Sequence, residues 1–225
     1  MTISDLLRAR PSTRAFLPTP LPMADITDIL EDAQTSPSNS NTQPWTVHVV
    51  SDPKRRVISE RMLAQFEAGR QSPDFTLGYG DGRYSDRAGA HGATLYGALG
   101  IERADAERRL ELQRENLRFY GAPHVAFLFM PMIGDGVRTA GDIGMCAQTF
   151  LLSLESRGYA GIPQTMLGMY ADDVRAVLDV SDDMKLLFGI SFGTADPSEP
   201  INDLDMHRLP VADTVVVHDE RSQTR

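Results

Sequence analysis

The chain contains one cysteine, Cys146, in 225 residues. That count rules out an internal disulfide and a cysteine metal cluster, and it suits a reducing compartment. The five histidines are scattered without metal-ligand spacing, so no metal site is expected. Long hydrophobic runs are missing too: none approaches the ~18 residues of a membrane span, and the start has no signal-peptide pattern. Positive charge is scarce. A formal net charge of −9 and a pI of about 5.0 exclude a general nucleic-acid footprint or attraction to an anionic membrane. The chain reads as soluble and cytoplasmic, and any arginine cluster in it must be local.

What is present is enough for a packed core, since 41% of residues are hydrophobic. No repeat or composition shift divides the chain, which reads as one domain over residues 1–218 with a frayed tail over 219–225. Thr2 and Asp5 have capping-box spacing, and Ile3, Leu6 and Leu7 give a short apolar helix face that Pro11 ends. Apolar periodicity predicts further helices over 23–34, 53–66 (Val57, Ile58, Met62, Leu63 and Phe66 buried), 95–101, 137–157 and 172–180, and the charged stretch 103–118 reads mainly as a solvated helix. β-branched or continuous apolar runs predict strands over 46–50, 124–130, 184–192 and 211–217. Residues 69–92 break every pattern and read as a flexible surface segment, with 69–120 as a candidate substrate lid. Residues 159–166 read as a loop. Strands interleaved with long helices imply an α+β fold, a sheet flanked by helices.

Two stretches carry chemistry. Residues 36–45 read Ser-Pro-Ser-Asn-Ser-Asn-Thr-Gln-Pro-Trp, where Pro37 and Pro44 restrict both ends and six consecutive side chains offer hydrogen bonds. By composition alone an ordinary Ser/Asn/Pro loop after a helix C-terminus is the better reading. The second stretch, Arg10-Pro11-Ser12-Thr13-Arg14-Ala15-Phe16, supplies the missing signal. Together they resemble the FMN-dependent nitroreductase family: Arg10, Ser12, Arg14 and Phe16 match its opening pattern, and Ser36, Pro37, Ser38, Asn41, Gln43, Pro44 and Trp45 match its Ser-rich loop. The middle of the chain, from Tyr84 through Tyr96 to Pro123, is most similar to the nitrobenzoate-reductase branch.

The resemblance implies a mixed, mainly antiparallel sheet flanked by helices, in an interlocked homodimer with FMN at the interface. It also implies two-electron hydride transfer from NAD(P)H to a small nitroaromatic or quinone by a ping-pong mechanism. Arg10 and Arg208 would bind the FMN phosphate, Ser12, next to Pro11, the ribityl or phosphate oxygens, and Arg14 the N1/O2 edge of the ring. Pro37, Ser38, Asn39 and Asn41 would reach the FMN of the other subunit. Pro163, Gln164, Thr165 and Met166 would lie against the ring and direct a backbone N–H at N5, although some members have an acid-glycine pair where this chain has Thr165-Met166. Asn116 and Arg118 stand where some relatives meet the pyrimidine edge. Met206 replaces a second basic residue common near the C-terminal arginine. FMN carries the redox chemistry, so no protein acid or base is required.

Two other readings stay open. The same fold also serves FMN enzymes of dehydrogenase or dehalogenase type, and residues that hold the cofactor cannot choose among substrates. Gly189-Ile190-Ser191-Phe192-Gly193 fits the Gly-x-Ser-x-Gly elbow of a serine hydrolase, but the sequence after it, rich in proline, cannot begin the required helix.

Overall fold

The computed structural model describes residues 2–218. Helix α1 (Ile3–Ala9) starts at the expected capping box, with Thr2 N–H donating to the Asp5 carboxylate at 2.8 Å and Asp5 N–H donating to the Thr2 hydroxyl at 3.2 Å. Then follow α2 (Met23–Gln34), β1 (Thr46–Val50), α3 (Lys54–Glu67), α4 (Arg83–Ala98), α5 (Ala106–Leu117), β2 (His124–Pro131), α6 (Val137–Ser156), β3 (Ala160–Gln164), α7 (Ala171–Leu178) and β4 (Met184–Gly193). The strands form one sheet in the order β1-β2-β4-β3, and every pairing within it is antiparallel.

Strand β2 explains the layering. Its residues alternate faces: Val125, Phe127 and Phe129 pack with Ile58 and Met62 of α3, Leu117 of α5 and Val174 of α7. Ala126, Leu128 and Met130 pack with Ile26 and Ile29 of α2 and with Ile143, Ala147, Phe150 and Leu154 of α6. Both faces are thus covered, which is why the strand reads as a continuous apolar run. Each large side chain fully buried there contributes roughly 1.5–3 kcal/mol. Helix α6 carries the broadest apolar stripe and passes from this core to the functional cleft.

Four expectations need correction. Residues 83–92 are the start of helix α4, not an irregular segment: Ala88, Ala90 and Ala93 offset the cost of Gly89 and Gly92, about 1 kcal/mol each. Only Leu95 of α4 is buried, so the helix has almost no apolar periodicity to read. Residues 160–164 form a strand, and its Pro163 is tolerated because β3 lies at the sheet edge. The run 211–217 adds no strand; Val211–Asp213 is a single 3-10 turn, and Val211, Val215 and Val216 are exposed. Val57 is also exposed, and Ser59 takes its place on the buried face of α3. The tail over 219–225 lies outside the described residues.

The segment before α4 is anchored rather than loose. Ser72 bridges Tyr170. Asp74 is buried, and its carboxylate accepts from the buried Arg175 guanidinium and, at 2.7 Å, from Leu186 N–H. Arg175 also donates to Asp172 at 2.6 Å, so losing Asp74 leaves that charge a partner but strips the acceptor from one guanidinium N–H and from Leu186 N–H, at a cost of about 1–3 kcal/mol. Asp74→Ala should therefore lower the unfolding free energy by about that much in urea titration; a loss below about 1 kcal/mol would show that water solvates Arg175 instead.

Candidate functional site

A cleft of about 730 Å³ opens where the end of α1, the chain after it, the side of α6 and the C-terminal segment meet. Arg10, Pro11, Ser12, Arg14 and Arg208 line it together with Gln148 and Asn202. Residues far apart in sequence are thus brought together as the opening and closing motifs require. Pro11 follows α1, and Arg10 is the helix's C-cap, already in extended backbone as the chain turns into the cleft.

Three arginines line the cleft of this acidic chain. Arg10 donates to Pro11 O at 3.0 Å, Arg14 to Ser12 O at 3.0 Å, and Arg208 to Met206 O. These are local carbonyl contacts. Among the described residues none of the three forms a salt bridge, whereas Arg55, Arg61, Arg114, Arg118, Arg157 and Arg175 all do. Burial first, and then the charge of Arg208, push the Arg10 pKa down, with Glu155 opposing. Arg10 and Arg208 thus face one cleft with like charge. Asp203 and Asp205 also line the cleft, but Asp205 meets His207 at 3.3 Å rather than an arginine.

Asn202 is the residue that sequence reasoning missed. Its Oδ1 accepts from Arg14 N–H at 2.8 Å and Ala15 N–H at 3.1 Å, while Nδ2 donates to Ala15 O at 2.9 Å and Asp196 O at 3.0 Å. One amide thus ties the segment carrying Arg14 to the segment leading to Arg208. An isolated asparagine in a proline-rich stretch offers no local signal of this.

A second network lies at the ring-facing stretch proposed from sequence. Gln164 is buried, accepts from the Ser191 hydroxyl, and donates to Asn116 O and Oδ1 at 2.8 and 3.1 Å. Asn116 in turn donates to the Tyr120 hydroxyl at 2.9 Å. Burial raises the Tyr120 pKa, and the charge of Arg14 opposes that rise, so this network ends beside Arg14. Pro163 and Thr165 are exposed and Met166 half-buried. Arg118 is drawn away, into ion pairs with Glu111 and Glu115 on the surface of α5.

The Ser-rich loop is elsewhere. None of residues 36–45 lines the cleft of its own chain. The Asp142 carboxylate on α6 accepts from Asn39 N–H at 3.1 and 3.2 Å, and the Ser38 hydroxyl accepts from Gln43 N–H at 2.9 Å. Pro37, Asn39 and Asn41 remain exposed, and Ser40, Asn41 and Gln43 have positive φ. Left-handed backbone at non-glycine residues costs free energy and persists only where the surroundings impose it.

Ser191 is no nucleophile. It sits fully buried inside strand β4, with its hydroxyl committed to Gln164. The flanking glycines serve packing: a Cβ on Gly189 would lie 2.5 Å from a Leu167 methyl carbon, and one on Gly193 would lie 2.6 Å from Pro123 Cδ. Cys146 is buried and its thiol pKa is pushed up to about 11, so it too is inert at neutral pH. Among the described residues no group of histidine, cysteine or carboxylate side chains could hold a metal ion. No described helix is long and apolar enough to cross a membrane.

Residues 7–194 match the Nitroreductase family. The chain belongs to that family. It is 41% identical over 211 residues to nitroreductase NfnB of Mycolicibacterium smegmatis, covering 93% of this chain and 89% of that protein. It is 31% identical over 206 residues to a 4-nitrobenzoate reductase of Pseudomonas putida, covering 90% and 89% respectively. The crystal structure of the FMN-dependent nitroreductase NfnB from Mycobacterium smegmatis in complex with NADPH superposes with a TM-score of 0.92 at 39% identity, covering 96% of this chain and 97% of that one. This nitroreductase therefore has the fold that its two motifs implied.

The clamp at Asn202 generates a direct test. Each bond lost is worth about 1 kcal/mol, so in Asn202→Ala the Arg14 and Ala15 amides should exchange with solvent deuterium about tenfold faster or more, with a far smaller change at β2 amides. Unchanged protection of those two amides would show that another contact holds the segment.

Proposed function

We propose that this nitroreductase is an FMN-dependent oxidoreductase that uses NAD(P)H to reduce small nitroaromatic, or quinone, acceptors. The observation that carries the reading is the proximity of Arg10 and Arg208 at one cleft without a carboxylate bridging either. Two like charges at a partly desolvated site repel each other unless an anion lies between them. The phosphate of FMN, near two negative charges, is such an anion, and planar guanidinium groups can grip it with paired bonds. The donor set also fits the rest of the molecule: the Ser12 hydroxyl and Pro11 line the path for the ribityl chain, and Arg14 is available to a ring edge. Bound there, FMN supplies two-electron redox chemistry between NAD(P)H and the acceptor.

The chain's own residues bind, orient and tune. Arg14, held by Asn202 through its backbone, puts a positive charge at the N1/O2 edge, where negative charge grows on reduction, and so favours the reduced form. Arg10 and Arg208 meet a phosphate whose charge does not change, so they contribute binding alone. Ser191 and Asn116 fix the Gln164 side chain, and with it the backbone after Pro163 from which Thr165 or Met166 would offer an N–H to N5. Pro37, Ser38, Asn39 and Asn41 are exposed or half-exposed and away from the cleft of their own chain, which supports their acting on the FMN of a second copy. A homodimer would also cover Ile3 and Leu7 on α1 and Val137 and Met145 on α6, all exposed apolar side chains. Residues 1–218 then act as one FMN-binding domain of a cytoplasmic homodimer.

Absorbance of the purified protein, with the released cofactor identified, tests the reading: a colourless protein that cannot be reconstituted with FMN would remove it. Arg14→Gln should lower the FMN midpoint potential and slow reduction by NAD(P)H even at saturating FMN. Arg208→Ala should instead weaken FMN binding by about tenfold, as loss of a charge-assisted bond predicts, and recover activity with excess cofactor. A wild-type potential in Arg14→Gln would put that side chain elsewhere. With one cavity for both partners, initial-rate plots in varied NAD(P)H and acceptor should give the parallel lines of ping-pong turnover; intersecting lines would show both bound together.

A further inference from the structure

Beyond the cleft, the C-terminal segment walls a second cavity of about 360 Å³, with residues 212–216 on one side and Arg83, Tyr84 and Arg87 of α4 on the other. Arg83 and Arg87 are one helical turn apart and share a face. Their guanidinium carbons lie 4.8 and 5.7 Å from the centre of the Tyr84 ring, and Arg83 also donates to the Tyr84 hydroxyl at 2.8 Å. Asp81 and Asp86 are neighbours in sequence and Asp213 lines the cavity, yet among the described residues neither arginine makes a salt bridge.

Two links place this cavity next to the cleft. Residues 202–208 wall the cleft and residues 212–216 the cavity, a gap of four residues that spans at most about 14 Å of chain. On α4, His91 lies one turn past Arg87, and burial together with the charge of Arg14 lowers its pKa. Arg87 and Arg83 therefore stand about 6 and 12 Å further out along the same axis. A ligand whose reactive ring sits beside Arg14 can reach both arginines with its far end.

We propose that Arg83 and Arg87 bind the 2′-phosphate of NADPH and make NADPH, rather than NADH, the preferred reductant. The proposal rests on the function argued above and names the specificity of that site. A 2′-phosphate offers acceptor oxygens to two guanidinium groups already oriented by Tyr84, whereas NADH has a neutral hydroxyl there. The exposed position suits a co-substrate that must leave again, because the arginines stay solvated until the phosphate arrives.

The experiment is calorimetric titration of the purified full chain with adenosine 2′,5′-bisphosphate and with adenosine 5′-phosphate, which differ only in the 2′-phosphate. The wild type should bind the bisphosphate about tenfold tighter or more, as charge-assisted bonds predict. In R83Q/R87Q that difference should vanish, and the NADPH-to-NADH ratio of kcat/KM should collapse with it. R109Q is the control, since Arg109 stacks on Tyr96 at 4.6 Å in a different cavity; it should keep the preference. Equal binding of the two fragments by wild type, or a preference surviving in a folded R83Q/R87Q, would overturn the proposal. Flavin absorbance is read separately: a flavin-loaded protein without 2′-phosphate preference sinks this site alone, whereas a protein without flavin sinks the broader function and leaves the fragment titration to judge the site.

Discussion

Like charges brought to one cleft without a salt-bridged counterion are the constraint on which the site depends. Arg10 and Arg208 come from opposite ends of the chain, and burial first and then the charge of Arg208 make the Arg10 charge more costly. Glu155 offsets that cost only in part, so folding must bring them together through contacts made elsewhere. The Asn202 amide supplies three of those contacts at once. Net contributions near 1 kcal/mol per bond are enough to hold a local repulsion that solvent partly screens. The cleft is therefore preorganised for an anion. A ligand phosphate meets donors whose placement was achieved during folding.

The same arrangement recurs at the two strained segments. Ser40, Asn41 and Gln43 in the Ser-rich loop, and Phe119 and Tyr120 after α5, have positive φ without being glycine. Each segment is held by polar anchors from the scaffold: Asp142 of α6 takes the Asn39 amide, and Asn116 takes the Tyr120 hydroxyl. Phe119 is also fully buried against the core. Strain of this kind survives where the surrounding structure over-determines it. The Ser-rich loop is one of the stretches assigned to cofactor contact, and Phe119 and Tyr120 directly follow another, Asn116 and Arg118.

The parts legible in sequence were those where local chemistry and tertiary role agree. The alternating burial of β2, the stripe on α6 and the arginine motif after Pro11 were of this kind. Residues 83–92 were illegible because α4 is exposed on nearly every side, which leaves no period to find. Residues 160–164 were misread because Pro163 counts against a strand unless that strand is known to be an edge, a property set by β4 some 25 residues later. The valines of 211–217 show the opposite failure, since β propensity means little without a neighbouring strand to pair with. Asn202 could not be found at all. Its partners Arg14 and Ala15 are nearly the whole chain length away, and only the closed fold brings them together.

The Gly-x-Ser-x-Gly pattern connects core and site most directly. In β4 the spacing of two puts Gly189, Ser191 and Gly193 on one face, where the glycines admit Leu167 and Pro123 and the serine hydroxyl reaches Gln164. Gln164 continues to Asn116, and Asn116 to Tyr120, beside the Arg14 charge. A buried polar chain in which every member has a partner is stiff, because freeing any one leaves another unsatisfied in a low-dielectric interior. The centre of the sheet is thereby coupled to the edge of the cleft. A pattern that suggested a nucleophile serves instead to hold the wall against which a flat ring can lie.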